Sequence, residues 1–140
     1  MAEYDNDNIF AKILRGELPS QKVFENETTI VVMDIMPRGD GHALVLPKAP
    51  SRNLLDIDLQ ALSDVMATAQ RVANAQMKAF DADGITMQQF SEPAGGQVVF
   101  HTHVHLIPRF DGVPLKPHTG DMEDPDVLAK HAEKLKAALA

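Results

Sequence analysis

The stretch from Gly95 to Arg109 constrains this chain more than any other. Histidines stand at every second position in it, His101, His103 and His105, among Val98, Val99, Phe100, Thr102, Val104, Leu106 and Ile107. β-Branched, aromatic and aliphatic neighbours favour a strand. In a strand, alternate residues share a face, about 6–7 Å apart per step of two. The spacing therefore predicts three imidazoles in file on one face, with Thr102, Val104 and Leu106 on the other. Pro108 lacks an amide donor and ends the ladder.

Such a file has three readings. An exposed strand face carries imidazoles at little cost, whereas a buried one must satisfy each ring nitrogen. Two or three histidines on one face also suit a metal such as zinc. Alternatively, one neutral imidazole attacks phosphorus while its neighbours donate to the oxygens. The glycines Gly95 and Gly96 just upstream favour phosphate, because small residues let backbone amides approach an anion. Periodicity alone leaves the choice open.

The rest of the chain sets bounds. Its 140 residues predict one domain, with 44% apolar and 24% charged residues as in ordinary soluble proteins. No cysteine is present, which removes disulfides and thiolate metal sites and suits a reducing compartment. A net charge of −7 argues against coating nucleic acid. The acidic start of the chain is unlike a signal or transit peptide, and no apolar run has membrane-spanning length. A cytoplasmic location with no membrane partner is the expectation.

Residues 7–15 predict a short helix capped by Asp7 or Asn8 and stopped at Gly16. Residues 22–25 and 29–34 predict a hairpin, the second strand apolar enough to be buried on both faces. His42–Pro47 predicts a third strand after the turn at Gly39–Gly41. A long helix runs from Asp56 or Asp58 to about Phe80, its core stripe read as Leu59, Leu62, Val65, Met66, Ala69, Val72, Ala73, Met77 and Phe80. Ile85–Phe90 predicts a fourth strand and the histidine stretch a fifth. Residues 111–124 read as loop with an exposed His118, and a last helix starts at Asp124 or Pro125. This order predicts an α+β chain: an antiparallel five-stranded sheet, one long helix on one face, a short N-terminal helix and a C-terminal helical tail.

Gly95-Gly96-Gln97 followed by His101-Thr102-His103-Val104-His105-Leu106-Ile107 resembles the signature of the histidine triad (HIT) family. Three upstream blocks extend the likeness: Asn8 to Ser20, Asp34-Ile35-Met36-Pro37, and Gly41 to Lys48. It covers about residues 8–111, leaving 112–140 as a tail. The resemblance implies the HIT-like fold and a homodimer. It implies a nucleotide hydrolase of the phosphoramidase type, acting at the α-phosphate of a purine nucleotide. His103 is then the nucleophile that forms a covalent nucleotidyl-histidine, His105 contacts phosphate oxygens, and His101 and His42 orient the row and move the proton. Asp34 binds the ribose, Ile9, Phe10 and Ile35 enclose the base, and Gln97, Gly95 and Gly96 line the phosphate region.

Two departures stand out. Relatives that hold a structural zinc use positions occupied here by Asn8, Ala11 and Pro50, so no metal and no cofactor is expected. Phe90 and Val98 replace polar residues that meet the phosphate, ribose or leaving group in relatives. They keep in view a nucleotide-binding regulatory module with little turnover. Among hydrolases, the alternative the resemblance implies is a dinucleoside polyphosphate hydrolase, which uses the same nucleophile with a different leaving group.

Overall fold

The computed structural model describes residues 2–117 and 120–140. His118 lies outside the described residues. In order, the elements are α1 (Ile9–Leu14), β1 (Lys22–Glu25), β2 (Thr29–Met33), β3 (Ala43–Pro47), α2 (Leu59–Ala79), β4 (Gly84–Gln88), β5 (Val104–Arg109) and α3 (Pro125–Leu139). A single 3-10 turn at Pro93–Gly95 precedes the histidines. The strands form one antiparallel sheet in the order β1-β2-β3-β5-β4. This is the α+β plan expected from the sequence, with the long α2 on the sheet, a short helix near the start of the chain and a 15-residue helix near its end.

Strand alternation divides the sheet into two working faces. Val31, Met33, Val45, Val104 and Leu106 point to the side covered by α2 and α3, where Val65, Ala69, Val72, Leu128 and Leu135 close the core. Ile30, Val32, Leu44 and Leu46 point to the other side and pack under Phe10 of α1. Burial on both faces explains the unbroken apolar run of β2. The histidines that follow the alternation share this second face, because His105 pairs with Leu44 across the β3–β5 ladder. Among the described residues, no helix is long and apolar enough to cross a membrane.

Two details of the expected elements need correction. The stripe of α2 that meets the sheet is Val65, Thr68, Ala69, Val72, Ala75 and Gln76, while Leu59, Met66 and Met77 are exposed. Gln76 takes a core position because its amide nitrogen donates to the carbonyls of Gly41 and Leu106, both at 2.9 Å. Of the two caps expected for α2, Asp58 is the one used, accepting from the amides of Gln60 and Ala61, while Asp56 holds the loop at Arg52 and Asn53. β4 ends at Gln88 rather than Phe90.

The largest correction concerns the histidine file, since β5 begins only at Val104. The ladder with β3 stops at the Val45–Val104 pair. Beyond it, the amide of Thr102 donates to the Ser51 carbonyl in the loop after β3, at 2.9 Å. The Pro47 carbonyl is taken by the His101 side chain instead of by a neighbouring strand. Residues 101–103 are thus held by side chains and loop, and His101 leaves the file.

Candidate active site

Three histidines, His42, His103 and His105, meet on the α1 side of the sheet. His103 lies just before β5, and its Nδ1 is 2.7 Å from the carbonyl oxygen of His101. A carbonyl only accepts, so Nδ1 carries the proton and the neutral ring has its lone pair at Nε2. Phe10 packs edge-on against this ring at 4.8 Å between centroids. The apolar contact and the carbonyl together fix both tautomer and orientation.

His42 and His105 are coupled in the same way. The backbone N–H of Arg38 donates to His42 Nδ1 at 3.0 Å. In neutral His42 the proton is then on Nε2, which stands 2.9 Å from His105 Nδ1 and donates to it. His105 in turn carries its proton on Nε2. The rings of His103 and His105 approach at 4.9 Å, and Phe90 packs against His105 from another side at 5.4 Å. His42 reaches this position because it follows Gly41, whose φ of +83° turns the chain against Phe80.

Asp34 closes the cluster. Its carboxylate accepts from the Met36 amide at 2.8 Å and lies 3.4 Å from His42 Nε2 and 3.8 Å from His105 Nδ1. Burial raises its carboxyl pKa from 3.8 to about 6, against a smaller lowering by the Met36 amide. Asp34, His42 and His105 bring ligand atoms within 4.8 Å of one another, the group that could hold a cation among the described residues. The Arg38 amide argues for a proton-sharing role. A metal on His42 Nε2 must displace the proton that this amide places there. The positions implied for a structural zinc offer no donor set either. Asn8 Oδ1 is committed to capping α1 through the Ala11 amide, and Ala11 and Pro50 have no ligand atom.

These groups open into a cavity of about 360 Å³. Ile9, Phe10, Asp34, Ile35, His42, Gly96, His103 and His105 line it, as do Phe90, Val98 and Arg38. Most of the sequence-derived site is therefore brought together. Three of its residues are elsewhere. His101 is fully buried behind the cavity, and neither Gly95 nor Gln97 is part of the lining.

Gln97 builds the loop instead of facing a ligand. Its Oε1 accepts from the Glu92 amide at 2.8 Å and from Asn53 Nδ2 at 3.0 Å. Its Nε2 donates to the carbonyls of Arg52 and Val99, at 2.7 and 3.0 Å. Glu92 accepts from Arg52 Nε and Asn53 Nδ2, at 2.7 and 2.6 Å, and its φ is +67°. The Arg52 guanidinium holds the Glu92 carboxyl below the usual carboxylate range. This network sets the turn that carries Gly96 to the cavity, where a Cβ at φ +97° would come within 3.3 Å of the Phe90 ring. Arg52, Asn53 and Glu92 have no periodic or motif signal in the sequence, and only the fold brings them together.

Residues 15–112 match the HIT domain family. Two relatives with assigned activities are similar over most of the chain. An adenosine 5′-monophosphoramidase of Saccharomyces cerevisiae, HNT1, is 38% identical over 110 residues, 79% of this chain and 67% of the yeast protein. An adenylylsulfatase of Arabidopsis thaliana, HINT3, is 35% identical over 104 residues, 74% of this chain. The match spans 53% of that plant protein, about half its length. Among solved structures, a HIT-like protein involved in cell-cycle regulation from Bartonella henselae, crystallised with an unknown ligand, superposes with a TM-score of 0.94 at 48% identity. That superposition covers 98% of this chain and 99% of the other.

Proposed function

The chain belongs to the HIT domain family, and from that premise we propose that it is a nucleotide hydrolase of the nucleoside phosphoramidase type. The observation that carries this reading is the 2.7 Å contact from His103 Nδ1 to the His101 carbonyl, which puts the proton on Nδ1 and makes Nε2 the nucleophilic nitrogen of a cavity-lining imidazole. In this reading His103 Nε2 bonds to the α-phosphorus of an AMP-like substrate as the bond to the leaving amine breaks. The amine takes that electron pair and a proton, supplied through the His42–His105 pair. The His101 carbonyl stabilises the charge gained by the nucleotidyl-imidazole, and His105 stabilises the phosphate oxygens. Water then attacks phosphorus, the P–N bond returns its electrons to His103, and the proton lost by water replaces the one given to the amine.

Ribose binds at Asp34 and the base between Ile9, Phe10 and Ile35. The phosphate approaches the turn at Gly96. We also propose a cytoplasmic homodimer. Light scattering that gave only the 15.3 kDa monomer mass would count against the dimer.

A regulatory, nucleotide-binding reading is favoured by one observation, the Phe90 ring against His105 where a hydrogen-bonding side chain would serve catalysis better. One experiment divides the readings. AMP release is followed with an adenosine 5′-phosphoramidate and, in parallel, a diadenosine polyphosphate. Faster cleavage of the phosphoramidate is expected, and faster cleavage of the polyphosphate would instead indicate a dinucleoside polyphosphate hydrolase. His103→Ala should lose turnover while keeping AMP binding, and a variant with wild-type turnover would remove His103 as nucleophile. AMP binding with no release from either substrate would leave the regulatory reading.

A further inference from the structure

Tyr4 lies outside both the signature and the cavity lining, yet it reaches the histidine row. Its hydroxyl stands 2.6 Å from His101 Nδ1, across 97 residues of sequence, with the rings edge-on at 5.8 Å. The other nitrogen of His101, Nε2, is 2.8 Å from the Pro47 carbonyl. That carbonyl can only accept, so Nε2 carries the proton and Nδ1 of the neutral ring is an acceptor. The Tyr4 hydroxyl is therefore the donor. Burial pushes the Tyr4 phenol up and the His101 imidazole down, which keeps both partners neutral. His101 is fully buried, and its backbone carbonyl is the acceptor that orients His103.

We propose that Tyr4 is a positioning residue for His103. Its hydroxyl locks the His101 ring between phenol and Pro47 carbonyl, and so holds still the main-chain oxygen on which His103 Nδ1 rests. Losing the donor leaves a buried ring nitrogen without its partner, and His101 shifts to recover one. The shift moves the carbonyl and relaxes the tautomer of His103. The catalytic half of the proposal rests on His103 being the nucleophile, whereas the structural half does not.

Tyr4 is the chain's one tyrosine, which makes the test clean. Three proteins are compared: wild type, Tyr4→Phe, and wild type grown with 3-fluorotyrosine, which keeps the O–H donor. The readouts are kcat and KM for an adenosine 5′-phosphoramidate, and the ring-nitrogen signals of His101 and His103 by ¹⁵N NMR. Tyr4→Phe should lower kcat about tenfold, the scale of one lost buried hydrogen bond, with KM within about twofold. His101 should lose its single Nε2–H tautomer and the His103 Nδ1–H signal should weaken. The fluorotyrosine protein should keep both signals and turnover. A Tyr4→Phe protein with wild-type kcat, or with unchanged histidine signals, overturns the proposal, whatever its melting temperature. Wild type that releases no AMP brings down the nucleophile reading instead. The histidine signals then decide alone: altered signals in Tyr4→Phe support the lock, and unaltered ones overturn it.

Discussion

Replacing Asp34 by Asn should make the protein more stable and a poorer nucleotide binder, with the stability gain confined to higher pH. The carboxyl is buried beside His42 and His105, and burial raises its pKa from 3.8 to about 6. At about 1.4 kcal/mol for each tenfold in proton affinity, the gap corresponds to about 3 kcal/mol. Below 3.8 the carboxyl is protonated in both folded and unfolded chains, so it contributes no difference. Between 3.8 and about 6 the unfolded chain ionises while the folded one keeps its proton, and stability falls as pH rises. Above about 6 the whole penalty applies. Asn removes this penalty and can keep an oxygen for the Met36 amide. Its NH₂ group, however, would face the Nε2–H of His42, which returns part of the gain. We therefore expect about 1–3 kcal/mol of added stability at about pH 8, shrinking to nothing near pH 4. Urea unfolding of both proteins across this range measures it through the midpoint at constant slope. A variant no more stable at pH 8, or a gain that persists at pH 4, would refute the reasoning. AMP affinity should move the other way, and an unchanged affinity would sink the ribose role of Asp34.

Two further substitutions probe the scaffold of the site. Asn53→Ala removes the donor shared by Glu92 and Gln97. It should cost about 2 kcal/mol by urea titration, and a loss below about 0.5 would mean that the loop does not depend on this network. Gly41→Ala puts a Cβ 2.6 Å from the Phe80 ring at a φ of +83°. We expect a loss of about 2–4 kcal/mol, read as a lower melting temperature, and a protein that melts with wild type would show that the turn can relax.

How much of the site was legible depended on how local its physics is. Strand propensity and alternation located β5 and placed His105 correctly beside the apolar face. The same rule misplaced His101, because alternation assumes a ladder and β3 stops pairing at Val45. A helical stripe located α2 but not its contact angle. Gln76 lies outside the predicted apolar stripe, yet its amide is buried because it donates to the main-chain carbonyls of Gly41 and Leu106. The family resemblance implies a phosphate-region role for Gln97, yet its amide bridges main-chain and side-chain groups of two loops.

The amino-acid sequence by itself determined the element order, the α+β class and the family, because periodicity, caps and a spaced motif are written in neighbouring residues. It also determined that His103 stands in the middle of the row. Tertiary structure alone decided which nitrogen of the His42, His101 and His105 rings carries its proton. That depends on the Arg38 amide, the Pro47 carbonyl and the Tyr4 hydroxyl, donors and acceptors that reach the histidines only after the chain has folded. It likewise decided that Asp34 faces a histidine pair in a buried setting, where desolvation rather than residue type sets its charge.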